Sequence, residues 1–235
     1  MTDPLRPSPR LHHSLRRYFV DDFMQRRAAA LAPGSLVLDL GGHQQEKRGA
    51  FDIRRFPLRV VYANLTAAKR PDVQADAAFI PFAAGVFDAV ICAELMEHLP
   101  DPRPALAEAA RALRRGGVIL ITVPFLYPIH ADPHDFGRYT ETYWRHALAD
   151  HGFCAVEVEA QGTFLSVQVN QAKHAANALL PAGGLGRGLR AAAGIGVGIL
   201  QRGALWAEAR LPADGPRARF LRSYTTGYGL VGVKA

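Results

Sequence analysis

The sequence is short of cysteine and of long apolar runs, and each shortage excludes a class of protein. Only two cysteines, Cys92 and Cys154, occur in 235 residues, and neither has a partner at metal-ligand spacing. We therefore expect two reduced, buried thiols in a cytoplasmic protein rather than a disulfide framework. The apolar run Ala191–Leu200 is too short to span a bilayer. Residues 1–17 lack the apolar region of a secretory signal, and residues 1–13 are expected to be disordered.

Charge is unevenly distributed along the chain. The formal net charge is +7, and residues 161–235 hold nine basic groups against two acidic ones, which accounts for the whole excess. A basic C-terminal third predicts an acidic partner such as membrane lipid, nucleic acid or a phosphorylated carrier. A solvated, arginine-rich surface without a partner is the other interpretation, and composition alone leaves both open.

Short apolar runs alternate with amphipathic stretches. Leu36–Leu40 has no helical period, is entered through Pro33-Gly34 and is followed by a glycine pair, as expected of a fully buried strand. Further strands are predicted at Val60–Leu65, Val73–Ala77, Phe87–Cys92, Val118–Val123, Phe153–Glu159 and Tyr224–Val233. Helices are predicted at Leu15–Leu31, Ala93–Leu99, Pro102–Leu113, 140–148, Thr163–Leu180 and Gly188–Arg210. This alternation predicts an α/β fold, a parallel sheet with helices on both faces.

Two strand ends carry the residues expected of a nucleoside pocket. Asp39 ends the first strand and Gly41 follows two positions later, where only glycine lets the backbone approach a ligand without a Cβ clash. Asn64 ends the second strand, at the position that faces a ribose in a doubly wound sheet. The alternative is that these are turn residues in a fold that binds nothing at this edge.

Several stretches in this order resemble the class I S-adenosylmethionine-dependent methyltransferases, above all the subgroup labelled methyltransferase type 11. The resemblance covers about residues 34–155, and residues 228–234 look like the closing antiparallel strand of that fold. The stretches that carry it are Val37–Gly42, Gln74–Ala77 leading into Ile80–Phe82, Phe87–Cys92, Glu97–Pro102 and Leu113–Pro124.

The resemblance implies a fold and a cofactor. It implies a doubly wound, seven-stranded, mostly parallel sheet of Rossmann-like type, with S-adenosyl-L-methionine across the carboxyl ends of the first two strands. Residues 1–33 would be an N-terminal tail and helix, and residues 34–235 the methyltransferase domain with a helical insertion at 160–223. Carried over by position, the cofactor-binding residues would be Asp39, Gly41 and Gly42 at the methionine, Asn64 at the ribose, Asp76 and Ala77 at the adenine, and Glu94 beneath the sulfonium.

The chain departs from the family pattern at three positions in or near the expected cofactor site. His43 and Gln45 stand where the family loop usually has glycines, and Asn64 stands where it usually has an acid. These departures suggest a looser or differently arranged cofactor site. His98, which follows the family's Glu-His pair, is expected to have a structural role.

The loop 124–140 follows a buried strand and concentrates side chains that suit proton transfer. Histidine titrates near neutral pH and suits a general base for a hydroxyl acceptor. We expect His134 to be the base with Asp135 orienting it, and His130 to be the second candidate. Arg138 and Tyr139 are the expected substrate-binding residues, because the guanidinium of Arg138 could hold an anionic group.

Two other interpretations of this loop stay open. In the first, Asp135 caps a turn, Arg138 pairs with it and the histidines only fill the loop. In the second, His130, Asp132 and His134 bind a divalent ion, although our prediction is that the chain holds no metal.

The predicted function is O-methylation of an acceptor that is a small molecule, a glycan or a lipid-linked sugar. The basic insertion would serve as a substrate lid, as a homodimer contact or as a peripheral contact with an anionic membrane at its inner face. The alternatives are a non-catalytic binding or scaffold protein with a degenerate cofactor loop, and a nucleic-acid methyltransferase. The second is disfavoured because the first 160 residues carry no net charge and contain no aromatic-basic module for binding RNA.

Overall fold

One seven-stranded sheet forms the centre of the computed structural model, which describes residues 14–44, 49–130, 134–180 and 185–235. The strands are β1 (Leu36–Leu40), β2 (Arg59–Asn64), β3 (Val73–Gln74), β4 (Phe87–Ala93), β5 (Leu113–Pro124), β6 (Phe153–Ala160) and β7 (Gly227–Lys234). Their order is β3-β2-β1-β4-β5-β7-β6. The first five pair in parallel, and β7 runs antiparallel to both β5 and β6. The predicted doubly wound, mostly parallel sheet is confirmed.

The sheet is buried on both faces, which is why its central strands lack polar alternation. Along β1, Leu38 and Leu40 join the core on one face, whereas Val37 joins the core on the other. Helices α2 (Arg103–Ala112) and α3 (Glu141–Asp150) contribute Leu106 and Trp144 to the first core, and both side chains are fully buried. Helix α1 (Leu15–Ala29) covers the second core.

Several predicted boundaries are wrong, and each has a local cause. The helix predicted at Pro102–Leu113, with the glycine pair at 116–117 as its stop signal, spans Arg103–Ala112. Strand β5 begins at Leu113 rather than at the predicted Val118, because Leu113 is fully buried and pairs with Phe87. The helix predicted at Ala93–Leu99 is a single 3₁₀ turn, Met96–His98. The thiol of Cys154 is exposed rather than buried, because β6 is the edge strand of the sheet. The expected disorder of residues 1–13 lies outside the described residues.

The segment 160–223 contains α4 (Phe164–Leu179), α5 (Leu185–Glu208) and α6 (Pro216–Arg222), and α6 was not predicted. The carboxylate of Glu208, at the end of α5, accepts hydrogen bonds from the backbone N–H and hydroxyl of Thr163 (3.1 and 2.7 Å) and of Ser166 (3.0 and 2.7 Å). One acid therefore caps α4 and fastens the two helices to each other. None of the described helices is both long and apolar enough to cross a bilayer. The limits of the insertion as a domain unit stay a prediction.

Helix α1 is tied to the end of β4 by a buried ion pair. The guanidinium of Arg16 is bidentate to the carboxylate of Glu94 and also donates to the side-chain oxygen of Gln161. Arg16 is 2% exposed. Burial alone would raise the pKa of Glu94, but the charge of Arg16 and its hydrogen bonds outweigh burial and lower this pKa below its usual value.

Arg16→Met should destabilise the fold strongly, because it leaves the Glu94 carboxylate buried without its cation. We expect a loss of about 3–5 kcal/mol in the free energy of unfolding, measured by urea denaturation. Arg26→Met on the same helix is the matched control. Arg26 pairs with Asp22 and Glu159 near the surface and should cost at most about 1 kcal/mol.

The double variant Arg16→Met/Glu94→Gln should recover part of the loss, since it removes the orphaned charge as well. Equal losses for Arg16→Met and Arg26→Met would contradict the assignment of a buried pair.

Candidate active site

The carboxyl ends of β1, β2, β4 and β5 lie along one edge of the sheet. In-register pairing places Leu40 beside Ala63 of β2, and Asp39 beside Ile91 of β4. Ala93, the last residue of β4, pairs with Thr122 of β5. Four polar loops therefore begin at neighbouring points, which is where ligands bind in open α/β sheets.

The turn after β1 is held by its glycines and by Asn64. Gly41 has a φ of +82°, in the left-handed region that favours glycine. A Cβ on Gly42 would overlap the carboxyl group of Asp39, which is itself buried. The side-chain amide of Asn64 donates to the carbonyl oxygens of Gly41 (2.7 Å) and Gly42 (3.1 Å).

This arrangement explains why an amide stands where the family usually has an acid. A carboxylate has no hydrogen to donate and would repel the two glycine carbonyls. The side-chain oxygen of Asn64 accepts from the backbone N–H of Thr66 at 3.1 Å, which leaves its second lone pair for a further donor. The predicted ribose contact of Asn64 stays a prediction.

The other expected cofactor residues lie along the same edge in different environments. A carboxylate oxygen of Asp76 accepts from the backbone N–H of Ala78 at 2.9 Å, which shapes the turn after β3. The side chain of Ala77 is buried in the core. Glu94 has a φ of +53° and is held by Arg16. The departure at Gln45 lies outside the described residues, whereas His43 is half-buried beside the glycine turn.

A buried carboxylate lies between two imidazoles beyond the end of β4. Glu97 is 1% exposed, and neither of its carboxylate oxygens has a hydrogen-bond partner within the described ranges. The Nε2 atoms of His98 and His130 lie 3.8 and 3.9 Å from its Oε1. The Nδ1 of His98 lies 2.5 Å from the backbone oxygen of His134, which fixes the ring. We name Glu97, His98 and His130 the Glu97 cluster.

The environment of Glu97 opposes ionisation. Burial and the nearby charge of Glu94 raise the pKa of Glu97 well above its usual value. Glu94 and Glu97, only three residues apart, therefore have pKa values shifted in opposite directions. A shifted pKa at an unpartnered buried acid is a common mark of a functional site. Glu97 was not among the predicted site residues and His98 was expected to be structural, although their place in the Glu-His motif after a buried strand was a usable signal.

The loop beyond β5 pairs its residues differently from the prediction. Asp135 accepts from the backbone N–H of His130 (2.9 Å), and its Oδ2 lies 3.4 Å from the Nδ1 of that imidazole. The guanidinium of Arg138 is bidentate to the same carboxylate. The hydrogen bond from Arg138 is the main cause that lowers the pKa of Asp135 to about 2. Asp135 is therefore an ionised partner of His130.

The predicted pairing of Asp135 with His134 is therefore wrong: His134 is exposed, and its ring lies against Phe136. The guanidinium of Arg138 is held by Asp135, as in the structural alternative, and its expected contact with an anionic group stays a prediction. Tyr139 stacks on Tyr143 with ring centroids 4.2 Å apart.

The structure brings together a different set of potential metal ligands from the one predicted. Asp132, one of the three proposed ligands, lies outside the described residues. Among those described, the donor atoms of Glu97, His98 and His130 all lie within 4.8 Å of one another. One carboxylate and two imidazoles are ligands that suit a divalent transition-metal ion.

Comparisons with known proteins support the fold and the class. Residues 51–121 match the family described as "Methyltransferase domain". The chain is 36% identical over 104 residues to a demethylmenaquinone methyltransferase of Mycolicibacterium paratuberculosis, covering 41% of this chain and 44% of that protein. It is 30% identical over 162 residues to a sarcosine/dimethylglycine N-methyltransferase of Halorhodospira halochloris, covering 58% and 57%. The chain thus spans about half the length of these curated relatives.

A solved structure agrees over nearly the whole chain. A SAM-dependent methyltransferase from Archaeoglobus fulgidus superposes with a TM-score of 0.57 at 14% identity, covering 93% of this chain and 94% of that one. The chain therefore has the class I methyltransferase fold, and residues 51–121 carry the methyltransferase-domain signature. The resemblance stated from sequence is confirmed at this level.

Gly42→Ala should destabilise the chain, because the added Cβ overlaps the buried carboxyl group of Asp39. We expect a loss of about 1–3 kcal/mol, measured by chemical denaturation. Gly188→Ala is the control: nothing lies within 4 Å of a Cβ built on this exposed glycine of α5. That change should be neutral or stabilise the helix by up to about 1 kcal/mol. Similar losses for both variants would contradict a tight turn at Gly42.

The stability of Glu97→Gln should increase relative to that of the wild type as pH rises. The pKa of Glu97 is higher in the folded than in the unfolded chain, so the folded chain binds this proton more tightly. The resulting stability is fully present below the unfolded pKa of about 4.3 and is lost as pH rises through the folded pKa. Glutamine does not titrate and removes this loss.

The measurement is the thermal midpoint of both proteins between pH 4 and pH 8. Glu108→Gln provides the contrast, because the hydrogen bond from Arg111 lowers the pKa of Glu108. Wild-type and Glu97→Gln curves that run parallel would refute the raised pKa.

Proposed function

We propose that the chain is an S-adenosylmethionine-dependent methyltransferase that methylates a small-molecule acceptor placed against the Glu97 cluster. Support comes from the fold, the methyltransferase-domain match and the names of the relatives. The glycine turn after β1 lies at the carboxyl ends of the parallel strands, where open α/β sheets bind ligands, and Asp39 and Asn64 border it. Glu94 follows β4, which pairs with β1, and Asp76 follows β3, on the far side of β2; both would complete the cofactor site.

The observation that carries the proposal is the buried acid of Glu97, whose oxygens have no hydrogen-bond partner among the described residues. A buried polar group without a hydrogen bond costs stability, and a bound acceptor would supply one. An acceptor hydroxyl or amine can donate to Glu97 and at the same time lie beside the imidazole of His130. Both groups follow strands whose ends meet the proposed cofactor edge.

The cofactor would supply an electrophilic methyl group for in-line displacement by the acceptor atom. The protein's own task is to orient the acceptor and to remove its proton. We assign the proton to the Nε2 of His130, because its Nδ1 lies 3.3 Å from the backbone oxygen of Pro128 and 3.4 Å from the Oδ2 of Asp135. Asp135 would hold the ring and stabilise its protonated form, and Arg138 would hold Asp135 in place.

The acceptor class rests on the relatives and on the chemistry of the cluster. Both relatives are named for action on small molecules, and one is named as an N-methyltransferase. We favour an oxygen acceptor on a small molecule, a glycan or a lipid-linked sugar, since an imidazole beside a carboxylate suits deprotonation of a hydroxyl. Transfer to nitrogen, a non-catalytic binding protein and a nucleic-acid methyltransferase are the outcomes that would replace it.

We also propose that the protein acts at an anionic membrane surface, at its inner face. The support is the excess of basic residues in the C-terminal third and their location beside exposed apolar side chains of α5. The basic insertion would then bring the active site to acceptors that partition into lipid.

Methyl transfer from tritiated cofactor into fractionated cell extract tests the chemistry. We expect label in a small-molecule, glycan or lipid fraction. His130→Ala should lower transfer by about 10²–10⁴-fold. His134→Ala is the matched control and should change it little, because the contact of His134 with His98 is made by its backbone oxygen. Label in RNA, or a larger loss in His134→Ala than in His130→Ala, would contradict the proposal.

Treatment with a chelator distinguishes direct proton transfer to His130 from metal binding by the Glu97 cluster. If His130 accepts the proton directly, transfer survives treatment with EDTA. If the Glu97 cluster holds a divalent ion that polarises the acceptor, EDTA abolishes transfer and added Mg²⁺, Mn²⁺ or Zn²⁺ restores it. The second result would overturn our prediction that the chain uses no metal.

A further inference from the structure

Helices α4 and α5 line a groove. Its volume is about 430 Å³, and its walls are largely small or apolar. It is lined by Lys173 and Asn177 of α4, by Leu180 just after α4, and by Arg190, Ile195 and Val197 of α5. A narrow apolar groove with basic residues along it fits an aliphatic chain that ends in an anionic group.

Two basic residues line this groove, and hydrogen bonds hold the exposed one, Arg190, in place. The Nε and Nη2 of Arg190 donate to the backbone oxygen of Leu180 at 2.9 and 2.6 Å, which fixes the guanidinium at the end of α4. Lys173 is half-buried, and this burial lowers its pKa. An anionic headgroup at this groove would meet two basic side chains.

The exposed face of α5 also combines apolar and basic side chains. Ile195, Ile199 and Trp206 are 61%, 64% and 61% exposed. At 100° per residue they fall within about 40° of one another, so they form one stripe along the helix. The guanidinium of Arg210 lies 4.2 Å from the ring centroid of Trp206, and Arg202 is exposed three residues beyond Ile199. Tryptophan and arginine together are typical of the boundary between lipid headgroups and acyl chains.

Charge selects among the possible occupants of this face. Residues 161–235 contain only two acids, and one of them, Glu208, is used inside the protein to cap α4. A two-fold contact with a second copy would bring arginine-rich faces together and repel. A nucleic acid would pair with the arginines but would leave the isoleucines in water. An anionic bilayer satisfies both components.

We infer that α4 and α5 dock on an anionic phospholipid surface. The stripe Ile195–Ile199–Trp206 enters the headgroup region, and the groove between the helices takes up an acyl chain beside Lys173 and Arg190. This docking extends the membrane part of the proposed function, and it is tested without cofactor or acceptor. Its failure would therefore leave the proposed methyl transfer untouched.

Vesicle sedimentation with the full chain is the test. We expect binding to vesicles of phosphatidylglycerol and phosphatidylcholine, weakening as salt is raised, and little binding to phosphatidylcholine alone. Ile195→Glu/Ile199→Glu should weaken partitioning by at least about tenfold, because two carboxylates would enter the headgroup region. Val86→Glu, at an exposed apolar residue outside the insertion, should bind as wild type. Circular dichroism would establish that both variants are folded.

Tryptophan emission gives a second, local readout. Only Trp144 and Trp206 occur in the chain, and Trp144 is fully buried in the sheet core. A blue shift on adding anionic vesicles therefore reports Trp206 and should be absent in Ile195→Glu/Ile199→Glu. Equal binding to neutral and anionic vesicles, no binding, or equal losses in both variants would overturn the inference. So would a concentration-dependent dimer, or binding to tRNA, that the double variant abolishes.

Discussion

Parallel pairing of β1 with β2 on one side and β4 on the other is the constraint on which the site depends. It brings the ends of strands that are distant in sequence to one edge, so Asp39, Asn64 and Glu94 become neighbours. A slip of one residue in β1 would exchange its two buried faces and turn Asp39 away from the glycine turn. Burial on both faces therefore fixes the register, and the register places the site.

Two acids at the end of β4 show how the fold assigns different roles to similar groups. Glu94 is neutralised by Arg16 and joins the N-terminal helix to the sheet. Glu97 has two imidazoles as its nearest basic groups, at 3.8 and 3.9 Å, and its oxygens have no hydrogen-bond partner among the described residues. The first acid holds the scaffold together. The second is costly to the fold and, on our proposal, is kept for the acceptor.

Sequence patterns predicted the sheet, because buried parallel strands carry a signal within each short segment. The same local signal placed Asp39, Gly41 and Gly42 at the end of the first strand, and their contact with a cofactor stays a prediction. Pairings across the loop after β5 were not predictable, since whether His130 or His134 meets Asp135 depends on how the chain turns between them. The start of β5 at Leu113 was missed because tertiary pairing with Phe87 overrides the helical pattern and the glycine signal. Asn64 shows a third limit, because its amide holds the glycine turn through contacts made only after folding.

The central claim is that the edge formed by these strand ends binds a nucleoside-bearing sulfonium donor although His43 and Asn64 depart from the usual pattern. Isothermal titration of the full chain with S-adenosylmethionine and with its demethylated product measures this most directly. The account predicts saturable binding of both ligands with one site per chain. The absence of heat at millimolar ligand, with the protein shown to be folded, would contradict it.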